Sequence, residues 1–170
     1  MPDKKKVVAI DDALEVCMLI KEILEGTGEF EVTTTSDPTQ AENVVRQVMP
    51  DIILVDIVMP KRRGVEVITA IKKDETIKRI PIVVVSGKGE MIFDEKKHKF
   101  HWQPNNPAVK DRGTLPEARG AEALTQAYGV SDYVAKPFTT PILLEVINET
   151  IAKAQRKKAA QEDAPPALEP

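Results

Sequence analysis

A run of four apolar residues, Ile52-Ile53-Leu54-Val55, opens after Asp51 and closes on Asp56. The run has no alternation of apolar with polar side chains, so a strand built from it must be covered on both faces, as in the middle of a parallel sheet. Asp56 then stands at the carboxyl end of a central strand, beside the crevice in which open α/β sheets place their ligands. Taken alone, the position suits a residue that caps the next turn equally well. The rest of the chain decides between the two.

The same pattern recurs. Val7, Val8, Ala9 and Ile10 run into Asp11 and Asp12, and Ile80-Pro81-Ile82-Val83-Val84-Val85 runs into Ser86, with its proline at the strand entry, where a missing donor does least harm. Phe30 to Thr35 is a further β-prone stretch, and Asp132-Tyr133-Val134-Ala135 leads into Lys136-Pro137. Helical patterns separate these runs. Val16, Leu19, Ile20, Ile23 and Leu24 mark the core face of a first helix that stops near Gly26 and Gly28. Ser36-Asp37-Pro38 starts a second helix that runs to about Val48, and Gly64 precedes a third with Val65, Val67, Ile68 and Ile71. Thr139-Thr140-Pro141 caps a last helix reaching about Lys158.

Strands alternating with helices predict an α/β fold, a doubly wound, five-stranded parallel sheet of flavodoxin-like strand order 2-1-3-4-5. One domain over residues 1–158 is expected, with a disordered tail over 159–170 that holds three prolines and three acids. The segment from Gly87 to about Glu117 is polar, has no convincing periodicity and is far longer than an ordinary connection. It reads as an insert, about 88–117, ahead of a fourth helix centred on Ala118 to Tyr128.

The chain's 170 residues are enough for one buried core, and its net charge of −3 gives no reason to expect nucleic acid or an anionic membrane as partner. Cys17 is the only cysteine, which points to a reducing compartment. Met-Pro-Asp-Lys-Lys-Lys lacks a signal-peptide core, and no apolar window has the length of a membrane span. A cytoplasmic location follows as the expectation.

Read together, the strand ends bring Asp11, Asp12, Asp56, Ser86 and Lys136 to one edge of the sheet. Three carboxylates so close call for a hard cation, Mg²⁺ or Mn²⁺ with oxygen ligands. A phosphoryl group on Asp56 is then neutralised by the metal, the Lys136 ammonium and the Ser86 hydroxyl.

With Asp11-Asp12, Asp56 followed by Met59-Pro60 and Gly64, then Ser86, and Tyr133 ahead of Lys136-Pro137, the sequence resembles the receiver domain of two-component response regulators. The resemblance implies that Asp56 is the phosphoacceptor. It implies that Asp12, Asp56 and the Val58 backbone carbonyl ligate the metal directly and Asp11 through water. Ser86 and Tyr133 match the family's coupled switch pair, and a cis Lys136-Pro137 bond aims the lysine. The implied partners are a histidine kinase or histidine phosphotransfer protein and an unknown downstream protein.

Other features are this chain's own. Val58 and Lys88 occupy positions that flank the phosphoryl group in the family, and valine cannot orient an attacking water, so slow hydrolysis of the phosphoaspartate is expected. Gly87 leaves the site accessible. Leu14, Cys17 and Met18 form a second apolar strip on the first helix, expected to be exposed for donor docking. Ile142, Leu144 and Val146 exceed one buried stripe and mark a homodimer contact. In the insert, His98 and His101 have no cysteine beside them and read as solvated, and Lys96, Lys97 and Lys99 are mixed with Asp94 and Glu95. The insert itself is either a partner-binding or lid element or a tolerated insertion.

The expectation is a stand-alone receiver that is not an enzyme, since few residues follow the last helix. The alternative is a receiver-fold scaffold that acts through its insert without phosphorylation. A haloacid dehalogenase-type hydrolase wants an aspartate where Val58 stands. A flavodoxin-like carrier wants a phosphate loop where Asp11 and Asp12 stand.

Overall fold

The computed structural model describes residues 3–87, 89–94, 99–104 and 125–162. Five parallel strands form the main sheet: β1 (Lys5–Ile10), β2 (Phe30–Thr35), β3 (Ile52–Val55), β4 (Ile82–Gly87) and β7 (Asp132–Lys136). Their order is β2-β1-β3-β4-β7, the doubly wound 2-1-3-4-5 arrangement expected. The helices are α1 (Leu14–Gly26), α2 (Ala41–Val48), α3 (Gly64–Lys73), α4, of which residues 125–128 are described, and α5 (Thr140–Glu162). A short 3-10 turn, Pro38–Gln40, precedes α2, and the Asp37 carboxylate caps it by accepting the Thr39 N–H.

The sheet has a core on each face. Val8, Ile10, Ile53, Val55, Ile82 and Val84 meet α2 and α3 through Val45, Val67, Ile68 and Ile71. Val7, Ala9, Ile52, Leu54, Val83 and Val85 meet α1 and α5 through Ile20, Leu24, Leu143 and Ile147. Every residue of β3 is buried, as a strand covered on both faces requires.

At the outer edge, Lys5 N–H bonds to the Glu29 carbonyl and Asp11 N–H to the Thr35 carbonyl, so the odd-numbered residues of β2 face β1. The backbone of Phe30, Val32 and Thr34 therefore faces outward. Helix α1 occupies the middle one. Glu25 accepts the Val32 N–H at 3.0 Å, Lys21 donates to the Val32 carbonyl at 3.0 Å, and the two side chains pair with each other at 3.5 Å.

Four expectations change. The buried face of α1 is Cys17, Ile20 and Leu24, while Leu19 lies 47% exposed beside Leu14 and Met18. Cys17 is thus a core residue and no part of an exposed strip, because its small side chain lets the start of α1 close on the Asp11 backbone at 3.3 Å. In α5, Leu144 and Val146 pack against the core and only Ile142 stays exposed. Helix α5 also continues to Glu162, carried past Lys158 by alanine and glutamine, which are good helix formers. Finally, the insert contains an antiparallel hairpin, β5 (Gly89–Asp94) and β6 (Lys99–Pro104), with Met91 opposite Trp102 and Phe93 opposite Phe100 in register. Lys88, Lys96, Lys97, His98, most of the expected fourth helix and residues 163–170 lie outside the described residues.

Candidate functional site

Parallel pairing aligns the carboxyl ends of β1, β3, β4 and β7. Ile10 pairs with Val55, Val55 with Val84, and Ser86 with Ala135, so the residues that follow β1 and β3 and those that end β4 and β7 share one edge. The Asp56 N–H donates to the Ile10 carbonyl at 2.9 Å and fixes the aspartate against β1.

The carboxylates of Asp11, Asp12 and Asp56 each place an oxygen within 4.8 Å of the other two. Asp11 and Asp56 are buried, while Asp12 is exposed at the rim. Asp11 is held twice: Oδ1 accepts the Ala13 N–H at 2.9 Å, and Oδ2 pairs with Lys136 Nζ. Asp56 accepts the Ser86 hydroxyl at 2.6 Å, and its other oxygen lies 3.8 Å from Lys136 Nζ. Among the described residues the Asp12 carboxylate has no hydrogen bond or ion pair. Burial pushes the Asp56 carboxyl above its ordinary pKa, with Asp11 adding to the rise, and the Ser86 hydroxyl, Lys136 and the Val58 N–H only partly offset it. Burial, with the Asp11 charge beside it, also pushes the neighbouring Cys17 thiol up to about 11.

The loop from Asp56 to α3 folds tightly around this edge. Ile57 and Met59 are buried and Val58 between them is 57% exposed. The Gly64 N–H closes the loop onto the Ile57 carbonyl at 2.9 Å. A side chain at Gly64 would have its Cβ 1.9 Å from the Asp56 carbonyl oxygen, so only glycine lets α3 start this close to the aspartate. Arg62, which the sequence did not single out, reaches α2: Nη1 and Nη2 contact the Glu42 carboxylate at 2.6 and 2.7 Å, and Nη1 also donates to the Pro38 carbonyl at 3.3 Å. No spacing rule in the sequence links residues twenty positions apart. On the opposite side, the Tyr133 hydroxyl donates to the Gly87 carbonyl at 3.2 Å and the Ser86 carbonyl at 3.4 Å. The Lys136-Pro137 bond is cis.

The residues read from the strand ends therefore do converge. Three carboxylates face one ammonium, so a divalent cation with oxygen ligands fits the donor set. No helix among the described residues is long and apolar enough to cross a membrane.

Known proteins resemble this chain in sequence and in fold. The chemotaxis protein CheY of Bacillus subtilis is 26% identical over 146 residues, covering 86% of this chain and 97% of that protein. The transcriptional regulator ycf27 of Guillardia theta is 31% identical over 156 residues, 92% of this chain but 48% of that protein. The chain spans about half the length of the transcriptional regulators it matches, which include the phosphate regulon protein PhoB of Rhizobium meliloti at 53% of its length. A crystal structure of a response regulator receiver domain protein from Clostridium thermocellum superposes with a TM-score of 0.63 at 25% identity, covering 92% of this chain and 98% of that one. Residues 7–100 match the family described as response regulator receiver domain, and with the sheet order and the carboxylate edge in agreement, the chain belongs to that family.

Proposed function

We propose that this domain accepts a phosphoryl group on Asp56 from a histidine kinase or histidine phosphotransfer protein and so switches a surface read by another protein. The single observation that carries the reading is the Asp56 carboxylate, buried yet flanked by Asp11, Asp12, Lys136 and Ser86. Receiver domains are signalling domains that bind Mg²⁺ at an acidic cluster, and Asp11, Asp12 and Asp56 form such a cluster here. Asp12, Asp56 and the Val58 carbonyl would hold the metal directly and Asp11 through water, and the metal supplies positive charge to the phosphoryl oxygens.

An Asp56 oxygen attacks phosphorus as the phosphorus–nitrogen bond of the donor imidazole breaks. The new bond is an acyl phosphate, and the imidazole leaves with the electron pair and takes a proton. Lys136 lies close enough to turn from the Asp11 and Asp56 carboxylates toward the added charge. Ser86 Oγ, now donating to Asp56, is placed to donate to a phosphoryl oxygen instead. Tyr133, bonded to the Ser86 and Gly87 carbonyls, senses that end of β4, which supports the switch-pair role. Exposed Val58 offers no polar group to position water, so the phosphoaspartate is slow to hydrolyse.

Intact mass after incubation with acetyl phosphate, with and without Mg²⁺, tests the reading. The expected result is one phosphoryl adduct that requires Mg²⁺, is absent in Asp56→Asn and decays faster in Val58→Asn. An adduct that persists in Asp56→Asn overturns the assignment of the acceptor. A folded protein that takes up no phosphoryl group favours the scaffold reading.

A further inference from the structure

Helix α2 holds the loop that carries Val58. That loop is fixed at its neck by Gly64 on the Ile57 carbonyl and by the buried side chains of Ile57 and Met59. Its tip, Pro60 to Arg62, has no such anchor: Pro60 is exposed, Lys61 adopts a left-handed backbone with φ of 65°, and the Arg62 N–H folds back on the Pro60 carbonyl at 2.7 Å. What reaches out from the tip is the Arg62 side chain. Its fork meets both oxygens of Glu42 and the Pro38 carbonyl, with the arginine and glutamate side chains 24% and 17% exposed. Two parallel bonds fix the plane of the guanidinium as well as its distance, which a single contact does not.

Glu42 lies in the first turn of α2, where the helix dipole favours a carboxylate. Burial alone would raise the Glu42 carboxyl, and the Arg62 guanidinium, together with Glu42's own backbone N–H and Arg46, more than offsets it and holds the group below its ordinary range. One turn further along α2, Arg46 pairs with Asp74 at the other end of α3, at 2.7 Å. Helix α2 is thus tied to both ends of α3, and one of these ties lands on the loop between Asp56 and α3.

We infer that the Glu42–Arg62 pair is a positioning clamp, which holds the Val58 backbone at the carboxylate cluster and thereby sets the affinity of the site for a divalent cation. This rests on the reading of Asp11, Asp12 and Asp56 as a metal site. Neither Glu42 nor Arg62 touches the cluster; both act through the loop. Groups that orient metal ligands are worth about 10- to 100-fold in metal affinity.

The test is calorimetric titration of the purified protein with MgCl₂, run on the wild type, Arg62→Ala, Arg62→Lys, Glu42→Gln and the double variant Glu42→Gln/Arg62→Ala, each with a thermal melt in the absence of metal. The clamp predicts Mg²⁺ binding weakened about tenfold in Arg62→Ala and in Glu42→Gln. It predicts no further loss in the double variant, because both changes break one interaction. Arg62→Lys should recover part of the affinity, since an ammonium keeps the charge but not the fork. Variants that melt earlier but bind Mg²⁺ as the wild type does make the pair merely structural and overturn the inference, while leaving the proposed function intact. A wild type that binds no Mg²⁺ overturns the proposed function and the clamp with it.

Discussion

At the scale of single residues, Asp56 carries a cost that its surroundings only partly relieve. Its carboxyl is pushed up by burial and by Asp11, and Lys136 spends most of its contact on Asp11. An amide in its place removes a buried charge while keeping the hydrogen-bond partner of Ser86. Asp56→Asn should therefore melt later than the wild type in metal-free buffer at neutral pH. The expected gain is a few degrees, the shift that about 1 kcal/mol produces in a domain of this size, and scanning calorimetry with EDTA present checks it. Asp56 was legible from the sequence because a short apolar run leaves little choice of where its last residue lies. Arg62 was not, since its partner is chosen by the placement of α2 in three dimensions.

At the scale of elements, helices are held by charge as well as by their apolar faces. The Asp74 carboxyl is lowered to about 2 by the Thr76 hydroxyl and N–H and then by Arg46. A carboxyl whose pKa falls on folding contributes stability that is present above the ordinary carboxylate range and lost as pH drops through its folded value. Asp74→Asn should thus be less stable than the wild type at pH 7, with the difference closing as pH falls from about 4 to about 2. Urea melts across that range measure it.

Helix α1 shows where sequence periodicity misled. Five apolar residues fitted one face, and Val16, Ile20, Ile23 and Leu24 do pack into the core, but the sheet takes Cys17 in place of Leu19, and Leu14, Met18 and Leu19 lie 56%, 63% and 47% exposed. A helix with more apolar residues than its buried stripe needs has two candidate faces, and only packing chooses. The exposed trio supports the donor-docking reading with Leu19 in place of Cys17. Met18→Glu should slow phosphoryl transfer from the cognate protein donor about tenfold, as a 1.4 kcal/mol loss of affinity would. Transfer from acetyl phosphate should be unchanged, and rapid-quench assays with both donors separate the two.

At the scale of the whole molecule, the sheet was readable because each buried strand is an uninterrupted apolar run and the crossovers allow one handedness. The β5–β6 hairpin was not, although Phe100 and Trp102 alternate with Lys99, His101 and Gln103. A period of two over so few residues is easily lost between polar neighbours, and antiparallel pairing needs a partner strand that the sequence does not name. Only Lys88 separates β4 from the hairpin, so the hairpin follows directly on the strand that ends in Ser86 and Gly87.

The Lys21–Glu25 pair has a consequence for how copies of this protein meet. An outermost strand ordinarily offers its free peptide groups to any passing chain, and rows of such strands build fibres. Here the middle of that row is already filled by the protein's own helix, in a ring of one strand residue and two oppositely charged side chains. A newcomer pairing along the whole strand would have to displace an ion pair and two hydrogen bonds at Val32. The middle of the β2 edge is therefore closed to continuous pairing with another chain.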